Sequence, residues 1–158
     1  MEDFSGLLGR FAKAVAANDG AGFAALFTAD GVYDDGFFGE YHGRQAIIEM
    51  LQHFHDTGSN YRWDFHDPLS SGNSGYARYC FSYASGMPGA EGKPVVFEGI
   101  SFFTFRDGLI ARYSESFDRG MALAQQDFAA ERIKKVLIKL AARQNAGAGA
   151  KEHLARFG

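Results

Sequence analysis

Residues 102–118, FFTFRDGLIARYSESFD, hold two runs of alternating residues separated by Asp107-Gly108. An Asp-Gly pair between two such runs is a strong hairpin signal, because the turn needs residues that accept positive φ. Working backwards, the strand before the turn extends from about Lys93 to Phe105. On it Val95, Phe97, Ser101, Phe103 and Phe105 share one face, and Val96, Ile100 and Phe102 share the other. Working forwards, Leu109 to Asp118 is the last strand, with Tyr113, Glu115 and Phe117 in phase. Two earlier strands complete the set. Tyr61, Trp63 and Phe65 alternate with Arg62, Asp64 and His66 until Pro68 and the run Ser70 to Gly75, and Tyr76 to Tyr83 follows.

Outside these strands the period changes to that of a helix. Phe4, Leu7, Leu8, Phe11 and Val15 form one apolar stripe ending near Asn18, and Asp19 caps a short second helix carrying Phe23, Leu26 and Phe27. Gly31 to Asp35 is a short strand after the Asp30-Gly31 turn, and a Gly-rich connection leads to a third helix opened by Gly43-Arg44, with Ile47, Met50, Leu51 and Phe54 inward. Ile133, Val136, Leu137 and Leu140 mark a C-terminal helix. Residues 145–158 read as a flexible Gly/Ala-rich tail, so that 1–144 is the domain. The expected class is α+β: four long strands and one short in a curved antiparallel sheet around the N-terminal helices, with an extra C-terminal helix.

Composition narrows the function. The 158 residues are 46% hydrophobic and carry a net charge of −3, enough for a core and without the basic field that nucleic acid or an anionic membrane surface requires. A single cysteine, Cys80, excludes an internal disulfide and a Cys-rich zinc site. Neither a signal peptide nor a run of about 18 apolar residues is recognisable, and a cytoplasmic setting is expected. Sixteen Phe, seven Tyr and one Trp call for a dense aromatic core or an aromatic-lined cavity. The strand Lys93 to Phe105 is apolar on both faces, which predicts a homodimer through the outer face of the sheet.

The element order, with the phrases ANDGAGFAALFTADGVYDD, YHGRQAIIEML and FFTFRDGLIARYSESFD, resembles the NTF2-like (SnoaL-like, cystatin-like) superfamily over roughly residues 4–124. The resemblance implies a cone-shaped sheet whose mouth holds a small, mostly apolar molecule. It also implies activities from ketosteroid isomerase to epoxide hydrolases and polyketide cyclases, alongside modules with no chemistry. Asp34 stands where the isomerase has its general base, whereas Phe11 and Ser101 replace its two oxyanion donors, which argues against ketosteroid isomerisation. Glu115 is similar in position to the carboxylate that the epoxide hydrolase and the cyclases use. The hydrolase's further Arg and Asp are not matched, since Arg78 is followed two residues later by Cys80.

The expected catalytic pair is therefore Glu115 and Asp34, with Tyr33, Trp63, Tyr79, Phe97, Ser101, Phe103, Tyr113 and Phe117 lining the ligand site. No cofactor and no metal are expected, since neither an HExxH motif nor an Asp-rich loop occurs. His42, His53, His55 and His66 have plainer roles in loops or on exposed faces, and Glu98 is expected to pair with Arg78 or Arg112 across the outer face. Two functions fit: a cofactor-independent proton-transfer enzyme acting on a small apolar, oxygen-bearing molecule, or a binding or assembly module built on the same pocket.

Overall fold

A computed structural model describes residues 3–157; Met1, Glu2 and Gly158, the ends of the expected domain and tail, lie outside the described residues. Asp3 caps α1 (Phe4–Ala16) and Asp19 caps α2 (Gly20–Ala25), each side chain accepting a backbone N–H of the first turn. Then come β1 (Phe27–Asp35), β2 (Gly39–His42), α3 (Gly43–Thr57), β3 (Gly58–Ser71), β4 (Ser74–Ser85), β5 (Pro94–Arg106) and β6 (Leu109–Phe117). α4 (Arg119–Ala124), α5 (Ala130–Ala146) and α6 (Ala148–Leu154) end the chain.

The strands form one curled, unclosed sheet in the order β2-β1-β6-β5-β4-β3. The α+β reading holds, with three differences in detail. β1 is nine residues long and runs parallel to β6, so the sheet is mixed. The supposed Gly-rich connection contains β2, paired antiparallel with β1. β3 continues through Pro68 by way of register shifts, with Asp67 at φ 50°. Proline is tolerated there because β3 is an edge strand and owes no N–H to an outer neighbour.

Inside the curl, Phe11 of α1 is fully buried and meets Phe23, Trp63, Phe65 and Phe103 edge to face, with centroids 4.8–5.8 Å apart. This T-shaped packing adds to the stability from area burial alone. The Gly43-Arg44 step has a structural purpose: Gly43 takes φ 81°, and Arg44 donates twice to the Phe27 carbonyl.

At the far end of the sheet, β5 overhangs β6. Gln125, just past α4, meets this overhang with its side-chain amide, accepting from the Val96 N–H (2.9 Å) and donating to the Val96 carbonyl (2.8 Å). α5 follows with no buried residue. The stretch expected to be a loose tail carries α6, because Ala, Lys, Glu and Leu after Gly147 are good helix formers. Among the described residues no helix is long and apolar enough to cross a membrane.

Candidate functional site

Because β1 and β6 run parallel with Tyr33 opposite Tyr113 and Asp34 opposite Ser114, the next step of the ladder brings Asp35 level with Glu115. Strand periodicity then sorts the side chains. Tyr33, Asp35, Tyr113 and Glu115 face the inside of the curl, and Asp34 and Arg112 face outward. Tyr33 and Tyr113 are essentially inaccessible and stack at 4.6 Å, and Asp35 is 5% exposed.

Glu115 is the hub. Its Oε2 accepts hydrogen bonds from Tyr79 (2.8 Å) and Tyr113 (3.1 Å). The Tyr113 hydroxyl is also 3.0 Å from Ser101 Oγ, which extends the network to a fully buried serine. Tyr79 reaches Glu115 from two strands away because its partner on the intervening β5 is Gly99. A Cβ at that position would lie 2.5 Å from the tyrosine oxygen.

The electrostatics follow from burial. Glu115 keeps an edge open to solvent but is packed densely enough that desolvation, with the nearby charge of Asp35, pushes its pKa up to about 7. The two tyrosine hydroxyls and the Gly36 backbone pull the other way. Asp35 is also raised, first by burial, against the backbone N–H groups of Phe37 and Phe38 that its Oδ1 accepts at 2.8 Å each. Burial and the Glu115 charge hold Tyr33, Tyr79 and Tyr113 above the ordinary phenol range, so all three are donors at neutral pH. Among the described residues neither Asp35 nor Glu115 has an ion-pair partner within 4 Å.

The expected residues therefore divide. Glu115, Tyr33, Tyr79, Tyr113 and Ser101 come together as one network. Phe117 lies two residues from Glu115 on the same face and stacks on Phe97 at 4.3 Å, with Phe37 against it at 5.4 Å. Trp63 packs edge-on to Tyr79 at 5.3 Å, and its buried indole N–H has no hydrogen-bond partner among the described residues. Phe103 belongs to the core around Phe11 and Phe4.

Asp34 is not brought to this network. It faces outward and pairs with Arg112 at 2.8 Å. Its neighbour Asp35 takes the inward place, and the sequence held the signal: with Tyr33 inside, a period of two puts residue 35 inside and residue 34 out. Glu98 does not receive its expected partners either. Arg78 pairs with Asp67, and Arg112 with Asp34 and Glu40. Among the described residues no three His, Cys, Asp or Glu side chains gather as a metal site would need.

A curled mixed sheet over N-terminal helices, with a carboxylate pair on its inner face, defines a protein of the ketosteroid isomerase-like, NTF2-like class. Within it, the chain belongs to the SnoaL-like domain family, whose model matches residues 8–113. No curated protein matches the sequence. Solved structures agree on the fold. A Catenulispora acidiphila protein with a ketosteroid isomerase-like fold, in complex with trimethylamine, superposes with a TM-score of 0.71 at 17% identity, covering 79% of this chain and 95% of its own. A candidate polyketide cyclase from Xanthomonas campestris gives 0.65 at 25% identity, with 77% and 95% covered. An LEH-like epoxide hydrolase from M. tuberculosis gives 0.63 at 17%, with 87% and 93% covered.

Proposed function

We propose that the protein is a cofactor-independent proton-transfer enzyme, an isomerase, cyclase, dehydratase or hydrolase, acting on a small apolar molecule that bears oxygen. The observation that supports it best is the pair of inward carboxylates, level with each other on neighbouring strands and, among the described residues, without an ion-pair partner within 4 Å. An acid with a pKa of about 7 is half protonated at neutral pH, so Glu115 can both take and return a proton in one cycle. In the anionic form it removes a proton from carbon, hydroxyl or water. The Tyr79 and Tyr113 hydroxyls, both fixed on Oε2, stabilise that anion together with the Gly36 backbone, and among the described residues no other side chain competes for the proton at Oε1. The charge of Asp35 raises the affinity of Glu115 for the proton. Glu115 then returns the proton to another atom of the substrate. Asp35 replaces Asp34 as the second carboxylate of this reading. Phe97, Phe117 and Trp63 supply the apolar wall.

The test is a screen of terpenoid epoxides, aromatic polyketides, steroids and hydroxy acids by thermal shift and turnover, followed by Glu115→Gln. An activity that survives this substitution within about tenfold overturns the assignment.

A second reading, a binding module without chemistry, is favoured by the trimethylamine held by the relative of the same fold. Here the carboxylates and rings would hold an alkylammonium ligand. Tight binding of such an amine with no turnover in the screen would select it.

The outer face of the sheet, where Tyr76, Val96 and Ile100 are about half exposed and Tyr76 stacks on Phe102 at 4.8 Å, is read as the contact with a second copy of the chain. Light scattering that gives a monomer at micromolar concentration overturns this. A cytoplasmic setting accords with the single free Cys80.

A further inference from the structure

The turn 36–38 between β1 and β2 lies between the carboxylate pair and the C-terminal helices, and both sides hold it through its backbone. On the inner side, Asp35 accepts the N–H groups of Phe37 and Phe38. On the outer side, Arg119 of α4 donates to the Gly36 carbonyl at 2.5 Å. Arg143, near the end of α5, donates to the same carbonyl at 3.3 Å and to that of Phe37 at 3.4 Å. Among the described residues neither arginine forms an ion pair with a carboxylate within 4 Å, and the backbone carbonyls are their fixed polar partners. The fit around the turn is close. A Cβ on Gly36 would meet the Phe117 ring at 2.4 Å. Arg119 also lies over that ring, 5.4 Å from its centroid, and Gly39, at φ 94°, leaves only 3.1 Å between a built Cβ and Arg143.

We propose that Arg119 and Arg143 are positioning residues for the carboxylate site. By clamping the carbonyls of the 36–37 turn they hold the N–H groups that fix Asp35, so docking of the α4–α5 arm and ordering of the carboxylate pair are one coupled event. Three observations carry this beyond ordinary surface bonding. The same short turn is bonded on both sides, so it cannot shift on one side without straining the other. α5 has no buried residue, so a large share of what holds it in place is Arg143 and its packing on α4. An element held by so few contacts opens easily. Two arginines from separate helices meet on one carbonyl, and a guanidinium fork suits that task better than a lysine. The inference rests on the proton-transfer reading only in giving the carboxylates a catalytic purpose; the coupling itself is independent of it.

The experiment uses the full chain as wild type, R119Q, R143Q, the double variant and R143K. The two readouts are amide hydrogen exchange at Phe37 and Phe38 and carboxyl NMR titration of Asp35. The groups whose charge acts on Asp35 are Arg143, which favours its anion, and Asp34 and Glu115, which oppose it. Losing the cation and loosening the two N–H donors act in the same direction. R143Q and the double variant are therefore expected to raise the Asp35 midpoint. In the double variant, protection of the Phe37 and Phe38 amides falls by about tenfold or more, while Tyr79 and Ser101 in the sheet keep theirs. R143K keeps the charge and not the fork, so its protection falls as in R143Q while its midpoint rises by less than that of R143Q. Unchanged protection in the folded double variant, or in both single variants if the double does not fold, overturns the clamp, as does a loss of protection spread evenly over the sheet. Neither readout needs a substrate. An activity indifferent to Glu115→Gln would defeat the proton-transfer reading and leave the clamp standing, and unchanged exchange would do the reverse.

Discussion

The two faces of the β1–β6 ladder carry acids one residue apart under opposite rules. On the outer face Asp34 and Glu40 share Arg112, at 2.8 and 2.6 Å, and Glu40 also meets His42 at 2.9 Å. Its hydrogen bond to Arg112 holds Glu40 below the ordinary carboxylate range. On the inner face Asp35 and Glu115 have backbone and phenol donors but, among the described residues, no ion-pair partner within 4 Å, and burial raises both. The outer arrangement ties three strands together. The inner one keeps two carboxylates in a state that a simple ion pair would have relieved, as proton-handling sites do.

The sharpest way to break this comparison is through activity. Once a substrate is in hand, Glu115→Gln should lower kcat/KM by about a hundredfold or more, whereas Asp34→Asn should leave it within about threefold. Equal losses from the two variants would erase the distinction between the faces. Gly99→Ala tests the same network at one remove, because the new methyl displaces the Tyr79 hydroxyl from Glu115. Kinetics should show about a tenfold loss, and denaturant melts about 1–3 kcal/mol of destabilisation.

Stability against pH gives the next largest effect, with opposite signs on the two faces. The folded pKa of Glu115 lies above its unfolded value of 4.5. The stability it contributes is full below that value and is lost as pH rises through about 7. Glu115→Gln should remove this loss, leaving the variant more stable than wild type by about 2 kcal/mol at pH 8. Glu40 is depressed, so its contribution is present above 4.5 and disappears as pH falls below it. Urea melts from pH 4 to 8 would resolve both slopes, and a wild-type stability that rises across pH 5 to 7 would contradict the inner-face assignment. Smallest of all, Arg112→Gln should cost about 1 kcal/mol, since its partners keep a third or more of their side-chain surface exposed.

Much of the fold was legible because the apolar periods were clean. α1 and α3 followed their stripes, and Asp107-Gly108 fixed the β5–β6 hairpin. Glu115 was legible from its phase with Tyr113 and Phe117 together with the resemblance, which turned that face of the strand inward. What could not be read was pairing at a distance. That β1 lies parallel to β6 depends on contacts 80–83 residues apart in the chain; the period of two from Tyr33 already separated Asp35 from Asp34, and it was the resemblance to the isomerase that favoured Asp34. β2 escaped notice because four residues beside glycines carry too little alternation to count as a strand. The clamp on the 36–38 turn was invisible for a related reason. It consists of backbone carbonyls, which every sequence has, and of arginines that composition alone assigns to solvent.

The side-chain amide of Gln125 on Val96 has one more consequence. Where β6 stops short, the overhanging end of β5 would otherwise present a free N–H and C=O to any passing strand. One glutamine answers both groups with the spacing of a peptide unit and so acts as a one-residue counterfeit of the missing strand. The overhanging backbone is thus paired from within the chain and offers no free N–H and C=O at Val96 for strand addition.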